Sequence, residues 1–190
     1  KIKKIKNHKL AYIIFTSGST GNKKGVKINR SSLISYINSI KLVTKKNNYF
    51  KSLLISGELT FDISLADFAF AFIYKSKIII TENSNNLISL FHLIKKYYPE
   101  AIYAVPTTWQ RIIQFSENFK DIEFNKIKYL NSGGEALKRD LVTKLYKIFP
   151  KSKITNFYGP TEFTINASYF ELSKKNFLNY EIMPIGKLLP

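Results

Sequence analysis

A string dense in hydroxyls, glycines and lysines, Thr16-Ser17-Gly18-Ser19-Thr20-Gly21-Asn22-Lys23-Lys24-Gly25-Val26, directly follows an apolar run near the start of the chain. Its composition is that of an anion cradle. Glycines let successive backbone N–H groups turn toward one point, hydroxyls add donors, and a lysine sets positive charge against a polyphosphate. The Walker A template, Gly, four residues, then Gly-Lys-Ser/Thr, does not fit. Counted from Gly18, the sixth position is Lys23, and Gly25 follows Lys24 instead of preceding it, which excludes a P-loop NTPase. Glycine and serine alone would also suit a surface turn; the complete string argues for a phosphate site.

Three further clusters carry candidate chemistry. Asn156-Phe157-Tyr158-Gly159-Pro160-Thr161-Glu162 combines an aromatic face, a hydroxyl and a hard carboxylate oxygen of the kind that suits Mg2+ alongside substrate phosphates. Gly133-Gly134-Glu135-Ala136-Leu137 lets a backbone lie close to a ligand, and reads equally as a strand-to-helix turn. Phe61-Asp62-Ile63-Ser64 places Asp62 where its side chain caps a helix starting at Ile63, a role worth about 1 kcal/mol.

Apolar, β-branched runs at 10–16, 52–56, 77–81, 101–105, 128–131 and 153–157 predict buried strands. Between them, helical periodicity covers 31–44, 63–74, 86–98, 107–118 and 137–149. Alternation of this kind predicts βαβ units, parallel pairing and a ligand crevice at the carboxyl ends of the strands. The phosphate string and the Asn156 block both stand just after predicted strands. No internal repeat or linker divides the 190 residues.

Composition narrows the class. With 45% hydrophobic and 15% aromatic residues the chain is globular, and zero cysteines exclude disulfides, thiolate metal sites and a Cys nucleophile while favouring a cytoplasmic setting. The net charge of +17 raises nucleic acid or an anionic membrane as partners. Only Arg30, Arg111 and Arg139 are arginines, and the lysines are spread along the chain, so neither specific nucleic-acid binding nor membrane association is expected. The longest apolar stretch, 65–74, is broken by Asp67 and falls short of the ~18 residues of a membrane helix. His8 and His92 are read as surface residues. The basic start is not a signal peptide, and with no initiator Met the sequence reads as a piece of a longer protein.

The string at 16–26 resembles the signature loop of the adenylate-forming enzymes: acyl-CoA synthetases, luciferases and the adenylation domains of nonribosomal peptide synthetases. It departs at Lys23, where the family has Pro, and keeps the motif lysine at Lys24. The Gly133-Gly134-Glu135 and Tyr158-Gly159-Pro160-Thr161-Glu162 blocks, and Pro184-Ile185-Gly186, are similar to later family blocks in the same order. The resemblance implies part of the large N-terminal subdomain of such an enzyme, an α/β fold with mostly parallel sheets flanked by helices. It implies that ATP is held by Thr16, Ser17, Gly18, Ser19, Thr20, Gly21 and Lys24, by Gly133, Gly134 and Glu135, and by Asn156, Phe157, Tyr158, Gly159 and Thr161. Lys24, Thr161 and Glu162 are then the catalytic set, with Glu162 on Mg2+.

Phe61-Asp62-Ile63-Ser64 resembles the block of amino-acid adenylation domains in which a carboxylate pairs with the substrate α-ammonium. The family's pocket positions carry over to Asp62, Ile63, Ala66, Ala104, Asn131, Gly133, Phe157, Ile165 and Asn166. Ala66, where many relatives hold a large aromatic, opens room, and a polar or medium-sized side chain is expected, with alanine as in D-alanine carrier-protein ligases the smaller option. The implied function is ATP-dependent formation of an aminoacyl-adenylate and transfer to the phosphopantetheine of a peptidyl or acyl carrier protein, fused or separate. An acyl- or aryl-CoA ligase is the nearer alternative, and a non-enzymatic basic binding module the farther one. Residues 1–190 are expected to be a partial AMP-binding core, without the N-terminal part and the C-terminal subdomain that bears a further lysine, and alone to bind ATP weakly and not complete adenylation.

Overall fold

The computed structural model describes residues 9–17, 23–44, 50–81, 86–119 and 121–190. In chain order the elements are β1 (Leu10–Ser17), β2 (Lys23–Asn29), α1 (Arg30–Thr44), β3 (Ser52–Ile55), α2 (Ile63–Tyr74), β4 (Lys77–Ile80) and α3 (Leu87–Tyr97). They continue with β5 (Ala101–Ala104), α4 (Pro106–Ser116), β6 (Tyr129–Ser132), α5 (Arg139–Ile148), β7 (Lys153–Tyr158), β8 (Ser168–Leu172) and β9 (Lys187–Leu188). A 3-10 turn, Thr161–Phe163, lies between β7 and β8.

The main sheet has the order β4-β3-β5-β6-β7-β8-β9, and its first five strands are parallel. Helices cover the parallel part on both faces, which is why its strands read as continuous apolar runs. On one face Leu54, Ile102, Ala104, Leu130 and Ile154 pack with Trp109, Phe91, Leu145 and Phe149 from the α3, α4 and α5 side. On the other, Leu53, Ala101, Tyr103 and Phe157 pack with Tyr36 and Ile40 of α1 and Phe70 and Tyr74 of α2. Burying each such large side chain stabilises the fold by about 1.5–3 kcal/mol. Local signals set the helix ends: the Asn86 side chain accepts from Ser89 N–H at 3.1 Å to start α3, and Pro106, which lacks the N–H a first turn cannot use, opens α4.

The main sheet is mostly parallel, as the resemblance implies, and the antiparallel pairs lie at the two ends of the chain. The first run, 10–16, is not in the main sheet; β1 pairs antiparallel with β2, a strand the periodicity does not mark, with Thr16 opposite Lys24 and Ser17 opposite Lys23. Five residues between them are too few for a parallel crossover, so a hairpin is forced. β2 is hard to see in the sequence because its buried Val26 and Ile28 alternate with lysines and its other neighbours are polar. β8 and β9 add to the sheet antiparallel, again without a crossover helix.

Candidate functional site

β3 connects outward to β4 while its other neighbour, β5, connects the opposite way to β6, so the connections diverge between β3 and β5. In open α/β sheets the crevice beyond the strand ends at such a point is the ligand site. A cavity of about 450 Å³ opens there, walled by Ser56 after β3, Asp62 and Ile63 at the start of α2, Tyr103, Ala104 and Val105 at the end of β5, and Thr161. A second cavity, about 400 Å³, lies beside it between Asn156–Pro160 and Ile182, Met183 and Ile185. The two share Gly134, Glu135, Gly159 and Pro160 as a common wall. Together they form an elongated, two-chambered site.

Asp62 dominates the first chamber. It is 9% exposed, and its Oδ2 is buried without a hydrogen-bond partner among the described residues. Burial pushes its pKa up; the Thr161 hydroxyl and the Ile63 and Asp62 amides pull it partly back, and the Glu162 charge pushes it up. The side chain does not cap α2: Asp62 has helical φ and ψ and makes no cap bond. The Ser64 hydroxyl secures the preceding turn instead, donating to the carbonyls of Phe61 at 2.7 Å and Leu59 at 3.2 Å. The carboxylate is thus left with an unused, buried acceptor on a residue that lines the cavity. On the hairpin, Tyr12 has a buried hydroxyl that also lacks a partner among the described residues, its pKa pushed up to about 12 by burial and then by the Asp62 charge.

In the second chamber Asn156 Nδ2 donates to the Pro184 carbonyl at 2.9 Å, and its buried Oδ1 has no donor among the described residues. Tyr158 presents a half-exposed ring beside it. A Cβ at Gly159 would lie 2.5 Å from the Ile165 carbonyl oxygen and 2.7 Å from Ala167 N, so only glycine lets the chain fold back here. Gly134 has φ +83, a left-handed conformation that favours glycine. Glu135 turns both carboxylate oxygens to Thr107, accepting from its N–H at 3.0 Å and its hydroxyl at 2.9 Å, which ties the Gly-Gly turn to the start of α4.

Thr16 and Ser17 end β1, Lys24 lies on β2, and β2 packs against the Thr161–Phe163 turn that carries Thr161 and Glu162. The Lys24 strand and the Thr161–Glu162 turn are therefore neighbours. Gly18, Ser19, Thr20 and Gly21 lie outside the described residues. Glu162 is exposed, and no group of three metal-binding side chains occurs among the described residues. A single carboxylate suits Mg2+, which takes most of its ligands from substrate phosphates and water. His92 lies on α3, its ring edge-on to Phe119 at 6.2 Å, and takes no part in either chamber.

Of the nine pocket positions, Asp62, Ile63 and Ala104 line the first chamber, and the Ala104 side chain belongs to the apolar cluster on the opposite face. Ala66, Phe157 and Ile165 are buried together in the cluster on the α2 side, and Asn131 and Asn166 are also buried. The residue not anticipated is Tyr103. In β5 it stands in register with Asn131 of β6, and parallel neighbours in register share a face. A Cβ on Gly133 would fall 2.6 Å from the Tyr103 hydroxyl, and the ring lies 5.7 Å from that of Phe157. Period-2 counting along β5 from the strand position beside Asn131 would find it.

The model of the AMP-binding enzyme family matches residues 1–190. The chain is 32% identical over 193 residues to polyketide synthase PksN of Bacillus subtilis (strain 168), covering 97% of this chain and 3% of that protein. It is 30% identical over 185 residues to tyrocidine synthase 3 of Brevibacillus parabrevis, covering 95% of this chain and 3% of that protein. The Vibrio cholerae adenylation domain AlmE, solved with glycyl-adenosine-5'-phosphate, superposes with a TM-score of 0.82 at 26% identity, covering 100% of this chain and 35% of AlmE. The chain thus spans a small part of the length of each of these relatives.

Proposed function

The chain belongs to the AMP-binding enzyme family, and we propose that the full-length protein uses ATP to activate an α-amino acid as its adenylate, in the cytoplasm, for loading onto the phosphopantetheine thiol of a carrier protein. The observation that carries this reading is Asp62, a residue lining the first chamber whose buried Oδ2 is without a partner among the described residues. A desolvated carboxylate with an empty acceptor position is costly, and a substrate ammonium offsets that cost with a charge-assisted hydrogen bond. Fatty and aryl acids bring no such group. The unused Asn156 Oδ1 in the second chamber suits the exocyclic amine of adenine, with Tyr158 offering a ring face. The likeness to tyrocidine synthase 3 and the glycyl-adenylate bound by AlmE fit the same reading.

In this reading the amino-acid carboxylate attacks the α-phosphorus of ATP, the bond to pyrophosphate breaks, and the carrier thiol then displaces AMP from the acyl group. No covalent enzyme intermediate is required. The chain's own residues position and neutralise: Lys24 and the 16–21 string hold the outgoing phosphates, Thr161 lies by the α-phosphate, and Asp62 fixes the ammonium so that the carboxylate is aimed. Glu162 would hold Mg2+, which supplies charge neutralisation on the phosphates. Among the described residues no helix is long and apolar enough to cross a membrane, and neither a membrane nor a specific nucleic acid is invoked.

The test is ATP/pyrophosphate exchange by the full-length protein over a panel of amino acids and simple carboxylic acids, with Asp62→Ala in parallel. Exchange driven by amino acids and lost in the variant is expected. Exchange driven only by acids without an amino group would move the protein to the acyl- or aryl-CoA ligases.

A further inference from the structure

The outer side of the hairpin is apolar and open. Residues 12–15 of β1 line a cavity of about 640 Å³ whose far wall includes Leu59, Phe61 and Leu65. Neighbours along a strand point to opposite faces, so a cavity that touches four in a row runs along the strand's edge and not over one face. That edge is unpaired: among the described residues β1 has β2 as its one strand partner. Phe15 is 68% exposed, and Ile13 and Leu59 are also exposed. The apolar surface continues onto α2, where Leu65, Phe68 and Phe72 stand three and four residues apart and so share a face, with Phe72 77% exposed. The one charged residue of α2, Asp67, is buried, which leaves the helix apolar on its outer side as well as its inner one. That is the pattern of a helix covered all round.

The chemistry of the surface selects what covers it. An unpaired, hydrophobic edge of eight residues invites aggregation, and an isolated two-stranded hairpin is marginally stable in water. An added strand satisfies the edge's row of N–H and C=O groups and at the same time lays apolar side chains on Leu59 and Leu65. Polypeptide for this is at hand in proteins of this kind: the chain covers 35% of AlmE, so the greater part of a protein of that length lies outside these residues. Strands consecutive in sequence are usually neighbours, and β2, the successor of β1, takes one edge, which leaves the other to a predecessor. Pro190 lies elsewhere, its carbonyl accepting from the Ser39 hydroxyl of α1 in a cavity that shares no residue with this one.

We propose that the free edge of β1 is the docking site of a β-strand from the part of the full-length protein ahead of Lys1, and that the segment bearing this strand covers the outer face of α2. The strand turns the hairpin into part of a larger sheet and so fixes the strand ends on which Thr16, Ser17 and Lys24 stand. Phe61 lines both this groove and the first chamber, so the docked strand also backs the wall of the candidate site. The docking holds whichever acid is activated.

Benzophenone crosslinking in the full-length protein identifies the occupant. Ile13→benzoylphenylalanine and Phe72→benzoylphenylalanine, each irradiated as dilute native protein and digested for mass spectrometry, should crosslink within the chain to a peptide ahead of Lys1. A crosslink to any peptide from Lys1 onward, a crosslinked species of twice the chain mass, or no crosslink from one or both positions overturns the proposal. Hydrogen exchange of the wild-type full-length protein needs no substitution. In an antiparallel pair alternate residues direct their N–H groups at the partner, so about half the amides of β1 face away from β2. Those amides should exchange at least about a hundredfold more slowly than amides of an unstructured peptide. Exchange at the unstructured rate leaves the edge free and overturns strand addition.

Discussion

Asp62→Asn keeps the shape of the side chain and removes its charge. In the folded chain the carboxylate is nearly out of solvent, and one oxygen has no partner among the described residues. A hydrogen bond from an ammonium to this oxygen is worth about 1.5–3 kcal/mol. Replacing the carboxylate also strands the ammonium in a partly dry chamber, and breaking a buried ion pair from one side costs about 3–5 kcal/mol. At about 1.4 kcal/mol per tenfold, the loss in kcat/KM for the amino acid is about a hundredfold to a thousandfold. It should appear mainly in KM, because the ammonium is bound alike in the ground and transition states. KM for ATP should change little, since the second chamber does not include Asp62. The pH dependence adds a signature. Burial raises the Asp62 pKa, so the carboxylate is lost at a higher pH than an ordinary aspartate as the solution is acidified. KM for the amino acid should rise through that range in the wild type and stay flat in Asp62→Asn. Steady-state exchange from neutral pH down through the acid limb reads both effects. A variant close to wild type in kcat/KM, or one with the same acid limb in KM, would refute the assignment of Asp62 to the ammonium.

Asn156→Ala should raise KM for ATP about tenfold with amino-acid KM nearly unchanged, because it removes an acceptor in the second chamber and frees the Pro184 carbonyl; an unchanged ATP KM would count against adenine at this position. Gly159→Ala must push its new methyl carbon against the 165–167 backbone at 2.5–2.7 Å, and thermal unfolding should show a loss of about 1–3 kcal/mol or no folded protein. Asp67 is 1% exposed with Oδ1 unpartnered among the described residues, and desolvation holds its pKa well above the ordinary value. The unfolded chain then gives up that proton first, so stability falls as pH rises above about 4. Asp67→Asn should gain on the wild type as pH is raised from about 4 to about 8 in denaturant unfolding, and a difference independent of pH would contradict a desolvated carboxyl.

The parallel strands are legible because helices cover both faces of that part of the sheet; β5, Ala101–Ala104, is buried at every position. α2 is legible to the residue, 63–74, since its apolar run ends where Lys75 takes up a left-handed conformation. β2 is not, because a hairpin strand buried on one face shows only Val26 and Ile28 among polar residues, and the same residues carry the composition of a phosphate loop. Motif alone marks Asp62 but leaves two roles open, and only the helical backbone at that position closes the capping role. Tyr103 lies a single step along β5 from the position the motif points to. A one-residue shift exchanges the two faces of a strand, so Ala104 occupies the expected pocket position while its neighbour carries the side chain that shares a face with Asn131.

The charge of the chain and the charge of the site point in opposite directions, and distance decides which matters. A net charge of +17 favours anions in general, but at physiological salt exposed charges are largely screened beyond about 8 Å. Scattered exposed lysines therefore do not decide what the first chamber holds. Within the first chamber the lining includes Glu58, Asp62 and Glu135. Glu135 already has both oxygens on Thr107, and Glu58 accepts from the Thr60 hydroxyl at 3.3 Å. That leaves Asp62 as the carboxylate with an unused, water-excluded oxygen, in a dielectric low enough for one charge to outweigh a distant surplus of the other sign. In the proposed reading, the choice of an ammonium by a strongly basic chain therefore rests on burial at one residue, Asp62.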